Sequence, residues 1–385
     1  MLTLLLLLSV AVSAPKPMPA QRLAIDNEGV LTKKEVTIGI LGNTRATSPI
    51  LDKGRAVRGG AQETVIGDIT AQNMMDPLDF LVLLGDMVPS SSKANWRAYG
   101  SQFAGLIDGS VPPPSALRRV PVVPVVGDRD CAKQPSCEDL AAVFPGFGQD
   151  IGFGRVATWQ SFDVVVGDGQ SWRFVVVDSN KKQLGSRWRE QVTWLQDAVR
   201  SPGQGLVVLI HESPIRRGKT PVTDGVAELM SLIGEHAPLM SLRAVMSAGP
   251  SNTQVFLPEG ALGPIHVVAG GGGTPTEALE RGVKGRPSSP ALADHFEAAL
   301  DGLVESYAST DSPPSQRVVD EALGTGSFEG FPRAVDGGDI PTHGWWLMRL
   351  KEEELSLAWR ARLPTGDLAE RARWSWTRDA GWQPK

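Results

Sequence analysis

Asp79-Phe80-Leu81-Val82-Leu83-Leu84-Gly85-Asp86 is the stretch that decides the fold. Its apolar residues run without interruption and stop at a glycine and a carboxylate. A short run of this kind fits a strand covered on both faces, because a half-wet strand alternates apolar and polar residues. The same word recurs on either side. Val36 to Leu41 stops at Gly42-Asn43, and Val120 to Val126 stops at Gly127-Asp128. Helical segments fit between them, near Gly60 to Met75 and over Ala94 to Leu106. Strands alternating with helices predict βαβ units and a parallel core, hence an α/β fold.

Downstream the pattern continues. Val156 to Gly167 and Ser171 to Ser179 flank Asp168-Gly169, a two-residue hairpin signal. Ser186 to Val199 carries Trp188, Val192, Leu195 and Val199 at helical spacing. Three more apolar strands follow: Leu206 to Ile210 before His211, Arg243 to Ser247 before Ala248-Gly249-Pro250, and Ile265 to Ala269 before Gly270 to Gly273. Gly344 to Leu350 and Leu355 to Arg360 form a closing hairpin, and Trp374, Trp376 and Trp382 read as core or edge packing.

Five of these strands end in polar residues: Asn43, Asp86, Asp128, His211 and the segment Gly249 to Asn252. Ligands of open α/β sheets bind at the carboxyl ends of strands, so these ends are the candidate site. Their order resembles the five motifs of the calcineurin-like metallophosphoesterases, in the purple acid phosphatase-like branch. Those read Asp-x-His or Asp-x-Gly, Gly-Asp-x-x-Asp/Tyr, Gly-Asn-His-Glu/Asp, a lone His after a strand, and Gly-His-x-His. Here they stand as Gly42-Asn43-Thr44-Arg45, Gly85-Asp86-Met87-Val88-Pro89, Gly127-Asp128-Arg129-Asp130, His211-Glu212-Ser213-Pro214 and Gly249-Pro250-Ser251-Asn252. Val175 to Asn180, Gln191-Val192-Thr193-Trp194-Leu195, Ile265 to Gly273 and Gly344 to Arg360 resemble further words of the family.

The resemblance implies a sandwich of two mixed β-sheets flanked by helices. It also implies a pair of metal ions that activate a water and clamp a phosphoryl group. The metal positions map onto Asn43, Asp86, Asp128, His211 and Asn252, and the catalytic ones onto Arg129, Asp130 and His211. The departures are severe. Asp86 keeps the bridging aspartate and His211 the lone histidine. Asn43 replaces an aspartate, Arg129 the catalytic histidine, and Pro250 and Asn252 two ligand histidines, while Asp130 keeps the acid that orients the catalytic group. Of five histidines only His211 falls at a ligand position. Arg45, Arg129 or both are candidates to fill the space left by cations, since a guanidinium stays charged and grips carboxylates. Two readings stay open. One is an inactive or impaired relative kept for binding or scaffolding. The other is a hydrolase working with one divalent metal (Fe, Zn or Mn). The expected ligand is a phosphate ester or other small molecule at the strand ends.

The net charge of −5 argues against nucleic acid as a partner. Leu2 to Val12 followed by Val12-Ser13-Ala14 reads as a signal peptide, with a cut after Ala14 or Ala20, so the expected location is periplasmic or extracellular. No other run is long and apolar enough for a transmembrane helix. Cys131 and Cys137 are either a short-loop disulfide or two thiols, which sequence alone leaves open. The expected organisation is a signal peptide over 1–20, a linker over 21–34, a phosphoesterase domain over 35–273, an insertion over 274–342 with one amphipathic helix from Ala291 to Tyr307, and a C-terminal hairpin over 343–385 that completes the domain.

Overall fold

The computed structural model describes residues 30–45, 61–107, 120–132, 137–144, 158–167, 169–214, 223–238, 241–249, 253–256, 263–270, 272, 328–329, 344–362 and 368–385. The strands are β1 Val30–Lys33, β2 Val36–Leu41, β3 Phe80–Leu83, β4 Val122–Pro124, β5 Gln160–Val166, β6 Gln170–Val177, β7 Gly205–Glu212, β8 Leu242–Ala248, β9 Gln254–Phe256, β10 Ile265–Ala269, β11 Phe328–Glu329, β12 Gly344–Leu350, β13 Glu354–Arg362, β14 Leu368–Thr377 and β15 Gly381–Pro384. The helices are α1 Ala61–Met75, α2 Lys93–Ile107, α3 Glu138–Val143, α4 Lys181–Leu184, α5 Arg187–Ala198 and α6 Asp224–His236.

Two mixed sheets result. One runs β1-β5-β6-β7-β8-β10-β9-β11 and the other β15-β14-β13-β12-β2-β3-β4. Alternation along each strand sorts the side chains into layers. Ile38 and Ile40 of β2, Phe80 and Val82 of β3, and Trp172, Phe174 and Val176 of β6 share one core between the sheets. The opposite residues of β3, Leu81 and Leu83, pack with Val65 and Ile69 of α1 and Trp96 of α2. Val175 and Val177 of β6 face outward to Trp188 and Leu195 of α5 and Leu229 and Ile233 of α6. Strands covered on both sides explain why their sequences read as unbroken apolar runs.

β2, β3 and β4 are mutually parallel in one sheet, and β6, β7, β8 and β10 in the other. All their carboxyl ends therefore lie on the same edge within each sheet. The expected hairpin is present as β5 and β6, antiparallel from Gln160↔Val176 to Val166↔Gln170. The structure goes beyond expectation at both ends of the chain's described part. Val30–Lys33, assigned by its polar sequence to the linker, pairs parallel with β5 as an edge strand. Beyond the closing hairpin the chain adds β14 and β15, which carry Trp374, Trp376 and Trp382 into the core. The expected leader, the helix Ala291 to Tyr307 and most of the insertion lie outside the described residues; Phe328–Glu329 of that insertion pairs with β9. Among the described residues no helix is long and apolar enough to cross a membrane.

His266 on β10 is buried, as its neighbours in sequence require. Burial pushes its imidazole from 6.5 down to about 3. The unfolded chain takes up this proton near pH 6.5 and the native chain does not. Its contribution is therefore intact above pH 6.5 and lost as pH falls from 6.5 toward 3, at about 1.4 kcal/mol per pH unit. Between pH 6.5 and 4.5, the urea midpoint of the wild type is expected to fall more steeply than that of His266→Gln. Parallel slopes would refute the assignment.

Candidate metal centre

The carboxyl ends of β2, β3, β4 and β7 meet where the two sheets approach each other. Gly85 and Asp86 follow β3 with φ of 87° and 49°. A Cβ on Gly85 would stand 2.5 Å from His211 Nδ1 and 2.7 Å from the Gly127 nitrogen, so only glycine lets the two loops and the histidine close up. Asp86 accepts a left-handed backbone that few side chains tolerate, and such strain concentrates at functional sites.

His211 Nδ1 donates to the Leu84 carbonyl at 2.7 Å. A carbonyl only accepts, so this bond places the Nδ1 proton and turns Nε2 toward the acids. Nε2 lies 3.6 Å from Asp86 Oδ1 and 3.5 Å from Asp128 Oδ1. The Asp86 and His211 side chains are buried and that of Asp128 is 56% exposed. Arg129 Nε donates to the other Asp86 oxygen, Oδ2, at 3.1 Å. Asp86 Oδ1 is buried without a hydrogen-bond donor among the described residues.

The protonation of the cluster follows from this crowding. Burial pushes Asp86 up to about 7; His211 opposes the shift, and Asp128 and Asp130 add to it. Burial pulls His211 down, but Asp86 and Asp128 outweigh it and raise the imidazole to about 10. Partial burial works against Asp128, yet its side-chain contacts with His211 and Asp86, with the charges of His211 and Arg129, hold it well below the usual carboxylate range. In the absence of a cation, Nε2 thus carries a proton at neutral pH and faces both carboxylates.

Asp130 is wholly buried, and its carboxylate is held by main-chain amides. Its Oδ1 accepts the Met87 and Val88 amides at 2.8 and 3.3 Å, and its Oδ2 accepts the Gly127 amide at 2.8 Å. Burial pushes it up to about 6 against the pull of these amides. It therefore clasps the turn after β3 to the turn after β4. Trp96 Nε1 of α2 donates to the Asp130 carbonyl at 3.3 Å.

Asn43 and Arg45 are both buried in the turn after β2. The Arg45 amide donates to the Asp86 carbonyl at 3.0 Å, and the Thr44 and Tyr99 hydroxyls share a hydrogen bond of 2.6 Å. Asn252 and Pro250 lie outside the described residues. One support carried no assigned role in the sequence. Asn180, after β6, donates through Nδ2 to Asp178 Oδ1 at 2.8 Å and to the Val126 carbonyl at 3.4 Å, tying that strand end to the turn after β4. Its signal is the one the other sites share: polar residues directly after an apolar strand.

One divalent cation fits this donor set. Asp86, Asp128 and His211 each offer a ligand atom, all within 4.8 Å of one another, and among the described residues Asp86 Oδ1 makes no hydrogen bond and has His211 Nε2 3.6 Å away. Two carboxylates and an imidazole suit Zn, Mn or Fe. Among the described residues, Arg129 holds the other oxygen of Asp86, Oδ2.

No family model matches the sequence, and no curated protein matches it. Among solved structures, the purple acid phosphatase PPD1 from yellow lupin (Lupinus luteus) seeds superposes with a TM-score of 0.54 at 15% identity, over 90% of this chain and 54% of that one. The chain thus spans about half the length of that phosphatase. PhoD matches with a TM-score of 0.48 at 12% identity, over 91% of this chain and 71% of the other.

Proposed function

We propose that this chain, which has the calcineurin-like metallophosphoesterase fold, is a severely impaired relative of the phosphate-ester hydrolases. It keeps a site for one divalent cation and binds a phosphate ester or other small ligand at the strand ends without efficient turnover. The observation that carries this reading is the 3.1 Å bond from Arg129 Nε to Asp86 Oδ2. That guanidinium takes the side of Asp86 which a second cation would need. It also stands in the motif position of the catalytic histidine, and a guanidinium does not release a proton at neutral pH. Leaving-group protonation is lost as a result. Arg129 can still bind phosphoryl oxygens and offset their charge. A cation held by Asp86, Asp128 and His211 would supply Lewis-acid polarisation of a phosphoryl oxygen.

A working single-metal hydrolase is the second reading, favoured by the proximity of those three ligand atoms. Calorimetry with Mn²⁺ and Zn²⁺ is expected to show at most one cation per chain, with proton release as His211 gives up its Nε2 proton. Hydrolysis of p-nitrophenyl phosphate and bis-p-nitrophenyl phosphate is expected to stay at the level of the metal in buffer. Two cations per chain, or turnover abolished by Asp86→Ala, would overturn the impaired reading. Export is part of the proposal. A disulfide between Cys131 and Cys137 supports it, since such bonds persist in oxidising compartments.

A further inference from the structure

The disulfide sits next to the site. Cys131 follows Asp128-Arg129-Asp130 without a gap, and its bond to Cys137 spans six residues with a Cα separation of 5.1 Å. Both cysteines are buried, among Trp96, Tyr99, Leu140 and Phe144. Cys137 is the N-cap of α3 in a left-handed backbone, with φ of 53°. Its carbonyl accepts the Ala141 amide at 2.9 Å. Phe144, at the other end of α3, packs edge-on against Trp96 and Tyr99 of α2. One side of the turn is therefore anchored to α3 through sulfur. The other is clasped to the turn after β3 through the Asp130 carboxylate. Asp128 and Arg129, half exposed and partly exposed, hang between these two anchors.

We propose that the Cys131–Cys137 disulfide is the positioning element of this site, holding Asp128 and Arg129 against Asp86 and His211, so that the site is assembled only in the oxidised chain. Reduction by a dithiol breaks the S–S bond. Two electrons and two protons pass to the cysteine sulfurs, and the dithiol is left as its own disulfide. The turn then keeps the Asp130 clasp but loses its tie to α3. The part of this inference that concerns cation affinity rests on the single-cation reading above; the part that concerns the turn does not.

Amide hydrogen exchange on the full chain tests it. The oxidised wild type is compared with protein refolded in dithiothreitol and with the double variant Cys131→Ala/Cys137→Ala. Exchange over 85–88 and 127–131 is expected to quicken about tenfold or more, while β6, β7 and β8 keep their protection. In the double variant, Mn²⁺ affinity measured by calorimetry is expected to fall roughly 10- to 100-fold. Unchanged exchange in both turns overturns the proposal. So does loss of protection across β6 to β8, which would make the bond a support of the whole fold. An oxidised protein that binds no Mn²⁺ would sink the cation reading, while the exchange result would still decide the role of the disulfide.

Discussion

Gly42→Ala is expected to lower the unfolding free energy by about 3 kcal/mol or more, the upper range for forcing atoms into a packed interior. A Cβ at Gly42 would stand 1.5 Å from the Ala269 carbonyl oxygen and 2.6 Å from its carbon. These are backbone atoms at the end of β10, so no side-chain rotation relieves the overlap. The approach is mutual, because a Cβ on Gly272 would lie 2.5 Å from the Gly42 oxygen. Here the end of β2 in one sheet passes the turn after β10 in the other, backbone against backbone. Separating them moves Asn43 and Arg45, and with Arg45 the amide bond to Asp86. Gly67→Ala is the matched control. It lies within α1 with nothing inside 4 Å of its added Cβ. It is expected to stabilise by roughly 0.5–1 kcal/mol through helix propensity. Urea melts of the two variants measure both effects. A Gly42→Ala midpoint equal to wild type would mean the sheets do not touch at this point.

That contact also shows what the sequence could and could not convey. Phe80 to Leu83 was legible as a strand because both of its faces are covered, which writes an unbroken apolar run into the chain. Val30–Lys33 carried no such run. It is an edge strand paired only with β5, and its pairing depends on backbone groups. Trp374, Trp376 and Trp382 read as core or edge packing, and Trp374-Ser375-Trp376-Thr377 alternates with the period of a strand. At the site, Asp86, Asp128 and His211 were legible because each ends an apolar strand, and parallel strands bring such ends to one edge. The bond of Arg129 to Asp86 Oδ2 was foreseeable only as one of two guanidinium candidates. The partners of Asp130 were hidden for a deeper reason. They are main-chain amides, which every residue type offers alike.

Asp130→Ala should therefore cost about 3–5 kcal/mol, since each buried amide left without an acceptor costs on the order of 1–3 kcal/mol and local water entry recovers part of it. Three amides lose their acceptor at once: Met87, Val88 and Gly127. Asp130→Asn separates geometry from charge. Its amide oxygen can still serve Met87 and Val88, but its NH₂ group must face the Gly127 N–H, donor against donor. The expected cost is intermediate, about 1–2 kcal/mol. If Asp130 instead oriented a catalytic group, both variants would leave stability near wild type and alter only the site chemistry. Denaturant melts distinguish the two roles: a loss under about 1 kcal/mol in Asp130→Ala would remove the clasp from the account. Exchange of the Met87, Val88 and Gly127 amides supplies the local readout, because the clasp requires all three to lose protection together. Asp128 and Arg129 sit between Gly127 and Asp130 in sequence, so a turn released at both of those residues can no longer hold them toward Asp86. Asp130 would then help govern whether Asp86, Asp128 and His211 meet.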